Sequence, residues 1–384
     1  MKRYYISLLV FLFLLILSCR KDFPEDKNYT ADFNAVFESF WNGMNHNYIF
    51  WDSDPTDWDE VYKQYKPLFA NLNIRKKEDI QTAHLYFKEM TSTLIDCHFA
   101  IVFNESLGLP MITPSWERKR NSSNAHNPIE RSMYFQSVFP KYCENPKKGE
   151  GNLVVSATIE DNILYLYIAQ FSLSEIYWSS GYYDYYMAKH ALENFFDRLK
   201  QSSDIKGVIL DLRGNSGGYL ADLNLLIGQM IDTKLDFGYT RCKIGDGRLD
   251  YSPWIPAYVT PQPNAKKVTA PIVVLADMYS VSMAEMTVIA VKALPNGYFV
   301  GEKTWGAQGP LVDASVKFNS GSFDGQSFFK TIITSSHALK DNNGNQYENI
   351  GLTPDIEVKH NQQALNAGKD PQLERAIDLI KNGK

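Results

Sequence analysis

The stretch PIVVLADMYSVSMAEMTVIAVKALPNGYFVGEKTWGAQG, residues 271–309, decides how the rest of the chain is read. It opens with Ile272, Val273, Val274, Leu275 and Ala276, an apolar run rich in β-branched residues that reads as a buried strand. A polar turn follows at 277–280. Met283, Met286, Ala290 and Val291 then recur at helical spacing, up to the stop signal Leu294-Pro295-Asn296-Gly297. A second strand, 298–301, leads into a glycine-bounded loop at 303–309. Strand, serine-bearing turn, helix: this order lifts a serine hydroxyl to a sheet edge beside free helix N–H groups. Those donors and the helix dipole can stabilise an oxyanion. The same residues have a plainer reading, because Ser282 and Glu285 spell S-x-x-E, a capping box that need only start a helix.

Upstream, 31–41, 58–69 and 80–95 carry aromatic and apolar residues at helical spacing, which predicts a small helical domain whose stripes form its core. The third pattern gives way at Asp96-Cys97-His98 to the strand-like run 99–103, with His98 at the junction. A histidine there is either structural or a base. Residues 104–150 are interrupted by prolines and polar clusters and read as a connector or cover. From Leu153 onward strands alternate with helices: 164–168, 185–199, 208–212, 220–230, then the opening stretch. That alternation predicts an α/β fold with a largely parallel sheet. The aromatic cluster Tyr177, Trp178, Tyr182, Tyr183, Tyr185 and Tyr186 reads as packing or as a cleft lining.

With 384 residues, 44% hydrophobic and 14% aromatic, the chain can bury a sizeable core. A net charge of −5 without a dense basic run excludes a nucleic-acid binder. Lys2 and Arg3 precede the apolar run 6–17, the pattern of a secretory signal, and Ile16-Leu17-Ser18-Cys19 resembles the lipobox of bacterial lipoproteins. The resemblance implies lipid on Cys19 and a polar tether behind it, hence an exported protein held on the bacterial envelope, at the outer membrane. Cys97, Cys143 and Cys242 are too far apart to suggest a zinc site or a disulfide framework.

The chemistry gathers around Asp211-Leu212-Arg213-Gly214-Asn215-Ser216-Gly217-Gly218, a strand running into a glycine-rich turn. In order, the chain carries D-L-R-G-N-S-G-G, V-L-A-D-x-x-S-x-S-x-A-E, V-G-E-K-T-W-G and E-N-I-G-L-T-P-D-I-E-V. This set resembles the serine peptidase family of the tail-specific proteases, the tricorn core protease and the interphotoreceptor retinoid-binding protein. The resemblance implies a ClpP/crotonase-like core of ββα units, with Ser282 as nucleophile and the backbone N–H groups of Gly217 and Met283 as oxyanion hole. Gly218 is the less favoured donor.

Tail-specific proteases place a lysine base 25 residues after the serine, where this chain has Ala307. The tricorn-like branch uses a histidine and a glutamate, positions filled here by His98 and Glu348. A serine precedes the histidine in that branch, and Cys97 stands here. The connector is too short for a clear PDZ module. The expected layout is a signal at 1–18, a lipidated tether at 19–30, a helical domain at 31–103, the connector at 104–150 and the peptidase core at 151–384. The expected activity is a serine-type endopeptidase acting on peptides or unfolded protein, with no metal or cofactor. The alternative is a non-proteolytic ligand-binding lipoprotein on the same scaffold.

Overall fold

The computed structural model describes residues 32–122, 125–144, 146–179, 185–201, 204–311 and 321–383. The expected signal and the whole of the expected tether, Cys19 included, lie outside the described residues, as do Tyr182 and Tyr183. Among the described residues no helix is long and apolar enough to cross a membrane, and Cys97, Cys143 and Cys242 are unpaired.

Three helices lead the chain. Phe33–Asn47 starts where the Asp32 side chain accepts the Ala35 N–H, and Trp58–Ala70 where Asp57 accepts that of Glu60. The third, Lys77–Thr91, ends earlier than its apolar pattern suggests. The amides of Ile95 and Cys97 go instead to the carboxylates of Asp54 and Glu348, so the chain leaves the helix to present residues 96–98. The helices pack through Phe33, Phe37, Phe40 and Phe87 onto Phe328, Phe329 and Ile332 near the far end of the sequence.

The strands are β1 (Ala100–Phe103), β2 (Lys147–Lys148), β3 (Val154–Ile159), β4 (Ile163–Ile168), β5 (Gly207–Asp211), β6 (Leu235–Cys242), β7 (Ile255–Val259), β8 (Ile272–Ala276), β9 (Gly297–Gly301), β10 (Ser322–Phe323), β11 (Phe329–Ile333), β12 (His337–Asp341) and β13 (Ile356–Glu357). The central sheet runs β13-β9-β8-β5-β4-β3-β2, parallel from β13 through β4 and antiparallel at β3 and β2. β1 pairs with β11, and β12 with β6, in two smaller sheets. The α/β class and the ClpP/crotonase-like core of ββα units hold.

The middle strands are apolar throughout because both faces of the sheet are covered. Leu164, Leu166, Val208, Leu210 and Val274 pack on the helices Tyr186–Gln201 and Met283–Lys292. Tyr165, Tyr167, Ile209, Val273 and Leu275 face the C-terminal helix Pro371–Asn382. The connector contributes to that second layer: Tyr134, Phe135 and Phe139 are buried beneath the sheet, and Pro114–Arg120 is a short helix. Its prolines and polar clusters hid these pieces from a periodicity reading.

Arg213 of the D-L-R-G motif locks the two halves of this layer together. Fully buried, it bonds Asp211 on β5, Asp370 at the cap of the C-terminal helix, and Gln372. Its role is structural, and it leaves the glycines after it to shape the site.

Candidate active site

β8 ends at Ala276, the chain turns through 277–281, and the helix begins at Met283. Ser282 sits at the joint with φ 56° and ψ −114°. An ordinary helix cap lies in the extended region with negative φ, as Asp32 does at φ −96° and ψ 167°. A serine on the positive side is strained by about 1–3 kcal/mol and persists only where its surroundings impose it.

The surroundings are visible. The Val281 N–H donates to the Asn215 carbonyl, that of Ser280 to Asp277, and that of Ala284 to Val281. The Ser280 hydroxyl donates to the Leu212 carbonyl. The S-x-x-E capping box is also formed, and in it the Glu285 carboxylate accepts the Ser282 N–H at 3.2 Å. Glu285 does more than cap. Fully buried, it also accepts from Thr304 Oγ1, Gly306 N and Ala307 N at 2.6–2.7 Å. Burial raises its pKa to about 7 against those donors.

Gly217 lies directly behind the serine. A Cβ there would stand 2.7 Å from the Ser282 Cβ and 3.1 Å from the Met283 nitrogen. As the first residue of its helix, Met283 has an N–H with no intrahelical acceptor. The expected second donor needs correction. The Gly217 N–H donates to Asn215 Oδ1 at 2.8 Å, so this amide is spent inside the turn and Gly217 supplies proximity instead. Among the described residues the Gly218 N–H has no acceptor, which leaves it as the remaining donor of the turn.

His98 follows the helix exit in a dense polar cluster. Its Nδ1 is 3.3 Å from Ser335 Oγ, and that hydroxyl lies 2.8 Å from Asp96 Oδ1. Burial pushes the imidazole below its ordinary pKa, with the Asp96 charge pulling the other way. Asp96, His98 and Glu348 bring ligand atoms within 4.8 Å of one another.

Glu348 therefore does reach the cluster, but its oxygens serve the backbone. They accept from Cys97 N, Gln308 N and Gly309 N at 2.7–3.0 Å, and no hydrogen bond joins Glu348 to the ring among the described residues. Burial and the neighbouring Asp96 hold Glu348 well above the usual carboxylate range. The trio has a spacing that could admit a cation. Each carboxylate, however, already accepts three or four hydrogen bonds that a metal would have to displace.

Cys97 and the loop after Lys303 pack between the segments that carry His98 and Ser282. Cys97, Trp305 and Ala307 form a small apolar cluster against Tyr279 and Val281. The Ser115 hydroxyl points at the Cys97 sulfur at 2.8 Å, and burial pushes that thiol well above its ordinary pKa. Cys97 is thus packing, not a nucleophile. Lys303 is exposed and lines a cavity of about 500 Å³ with Lys119, Met278 and Thr304, away from the His98 cluster.

Sequence reasoning missed Asp96, Thr334 and Ser335. Asp96 stands two residues before His98 without a motif of its own, and nothing in the sequence marks Ser335, since only the fold brings the β11–β12 turn beside residue 98.

Comparison with known proteins agrees with this geometry. The signature of Peptidase family S41 matches residues 162–358, half of the chain and all of the elbow, the glycine turn and Glu348. The chain belongs to Peptidase family S41. The signature of the tricorn protease C1 domain also matches 29–76.

The nisin-resistance protein of Lactococcus lactis subsp. lactis is 28% identical over 279 residues, 67% of this chain and 80% of that protein. The tricorn protease of Thermoplasma acidophilum is 26% identical over 197 residues, 50% of this chain but only 16% of that much longer protein. Among solved structures, a Parabacteroides merdae protein described as a candidate peptidase superposes with TM-score 0.69 at 22% identity, covering 92% of this chain and 98% of that one. Mature CPAF gives 0.59 at 14%, covering 91% and 98%. At these identities the two structures speak for the S41 fold alone.

Proposed function

We propose that this S41 family member is a serine-type endopeptidase of the tricorn-like kind, cleaving peptides or unfolded polypeptide through an acyl-enzyme on Ser282. The observation that carries the reading is the positive φ of Ser282 at a strand–helix joint, a conformation a mere cap has no reason to hold. Ser282 Oγ attacks the scissile carbonyl while His98 takes its proton on Nε2, the nitrogen not turned to Ser335. The oxyanion is met by the Met283 N–H, with Gly218 as second donor. His98 then hands the proton to the leaving amine, and water repeats the sequence on the acyl-enzyme.

Within this reading Glu348 holds in place the backbone that carries His98. The lowered pKa of the half-buried His98 ring supports it as base, and the exposure of Lys303 argues against a lysine. A fluorophosphonate probe tests the nucleophile: labelling should vanish in Ser282→Ala, and equal labelling of that variant would refute it.

We also propose that the precursor is exported and lipidated on Cys19, which ties the enzyme to the bacterial envelope, at the outer membrane. Metabolic labelling with a radioactive fatty acid should be lost in Cys19→Ala.

A further inference from the structure

The environment of His98 contains more than a base needs merely to be buried. Four donors converge on the Asp96 carboxylate: the His98 N–H at 2.9 Å and the Ser335 hydroxyl at 2.8 Å on Oδ1, and the Thr334 hydroxyl at 2.8 Å and the Ser335 N–H at 2.7 Å on Oδ2. A carboxylate offers about four acceptor positions, and all are taken. Asp96 is 1% exposed, and Thr334, Ser335 and Ser336 are fully buried, so this is a built site rather than a surface coincidence.

Proton counting then fixes the ring. A serine hydroxyl has one hydrogen. Ser335 lies between an acceptor-only carboxylate oxygen at 2.8 Å and His98 Nδ1 at 3.3 Å. Its hydrogen goes to Asp96, which leaves only a lone pair for His98. The contact is therefore favourable only when Nδ1 carries the imidazole hydrogen, and in neutral histidine that leaves Nε2 unprotonated. An unprotonated Nε2 is what a base facing Ser282 requires.

We propose that Asp96, acting through the Ser335 hydroxyl, holds His98 as the Nδ1–H tautomer and is the positioning arm of the catalytic base, in place of Glu348. The inference rests on the Ser282–His98 reading for its catalytic consequence, though not for the tautomer itself. Asp96 and Ser335 are positioning residues, since they act through the ring. The groups facing His98 are Asp96 on its own segment, Ser335 from the turn between β11 and β12, and Glu348 from the loop after β12. Glu348 is committed to three amides that belong to other residues, so its loss should loosen the loops without changing which nitrogen of His98 carries the proton.

The test uses the full mature chain and four substitutions, Ser335→Ala, Asp96→Asn, Glu348→Gln and His98→Ala, beside Ser282→Ala. Turnover of a fluorogenic peptide gives kcat and KM, and the ring ¹⁵N shifts of His98 report its tautomer. Ser335→Ala should lower kcat by ~10²-fold, the lower scale of losing a well-placed base. Asp96→Asn should cost up to ~10⁴-fold, because its amide can reverse the Ser335 hydroxyl and turn the ring to the wrong tautomer. KM should stay within about twofold in both, since the change acts on the transition state alone.

The ¹⁵N spectrum should show Nδ1–H in the wild type and in Glu348→Gln, and Nε2–H gaining in Ser335→Ala. In Asp96→Asn the acid limb of kcat should also move to lower pH, because the charge that raises the His98 pKa is gone; a purely structural role would not shift it. Should Asp96→Asn fail to fold, Ser335→Ala with its spectrum decides alone. An Nε2–H ring in the wild type, or Ser335→Ala within threefold of wild-type kcat, overturns the inference. Activity retained by Ser282→Ala and His98→Ala would instead overturn the peptidase reading, and the spectrum would still settle the tautomer.

Discussion

Replacing Gly217 by alanine probes the elbow without replacing any of the proposed reactive side chains. Gly217 has φ +92°, and a Cβ there would meet the Ser282 Cβ at 2.7 Å, the Val281 carbonyl oxygen at 3.0 Å and the Met283 nitrogen at 3.1 Å. Ordinary contacts begin near 3.4 Å, so Ser282 must retreat by about 0.7 Å or the turn must open by that much. None of the three is a flexible chain end, because all belong to the strained joint itself. Misplacing reacting groups by about 1 Å costs on the order of 10²-fold in rate, and Gly217→Ala should lose kcat on that scale.

The backbone conformation adds a stability cost of ~1–3 kcal/mol. Gly108→Ala isolates that second term. Gly108 has φ +61° and nothing within 4 Å of its missing Cβ, so it should cost stability and leave turnover unchanged. Active-site titration followed by steady-state kinetics on a fluorogenic peptide, with melting curves for both variants, separates the effects. A Gly217→Ala enzyme whose kcat matches that of Gly108→Ala would refute the claim that this glycine sets the position of the serine.

His98→Ala should lower kcat by ~10³-fold or more, the scale of a lost triad member, while exposed Lys303→Ala should cost less than tenfold; the reverse order would refute the histidine assignment. Activity should fall as pH drops through the His98 pKa. Burial sets that pKa below the ordinary ~6.5, so a pH–rate profile with its acid limb above pH 7 would count against this base.

Glu285 has a folded-state pKa of about 7, above its unfolded value near ~4.3, so its contribution to stability is present below pH 4 and is lost as pH rises through 7. The wild-type melting temperature should therefore decline across that window more steeply than that of Glu285→Gln, and parallel curves would contradict it. Arg213→Ala strands Asp211 and Asp370 in the core and should cost ~3–5 kcal/mol in urea denaturation. An unchanged midpoint would remove its structural role.

The parts of this fold that could be read from the sequence are those governed by local pattern. The strand 272–276, the helix after Ser282 and the three leading helices follow from apolar periodicity and stop signals, but the third helix buries Ala83, Phe87 and Met90 and leaves Leu85, expected on its apolar stripe, exposed. β6, β7, β11 and β12 were not legible. They form small sheets whose partners are far away, as β1 with β11 and β12 with β6, so pairing and not pattern defines them. The site divides in the same way. Ser282, His98 and Glu348 carry motif signals. The acceptor of the Gly217 amide, the four donors on Asp96 and the position of Ser335 depend on long-range placement that no spacing encodes. The residue types were legible, and the hydrogen-bond directions were not.

Under the proposed histidine reading, those directions give position 307 a task other than carrying a lysine base. Four successive amides, of Gly306, Ala307, Gln308 and Gly309, point into two buried carboxylates: the first pair into Glu285, the second into Glu348. Glu285 also takes the Ser282 N–H, and Glu348 also takes the Cys97 N–H next to His98. The loop is thus a bridge with one end on Ser282 and the other beside His98, and its middle is packed by Ala307 against Cys97 and Trp305. A lysine at 307 would bring four more heavy atoms and a charge into that closed apolar contact, where overpacking and desolvation both act against it. In a histidine-based site the same position works best small. The segment is then relieved of chemistry and can spend its backbone on holding Ser282 and His98 in register. The two glutamates therefore serve one task, and losing either should disturb the distance between base and nucleophile before it disturbs either group alone.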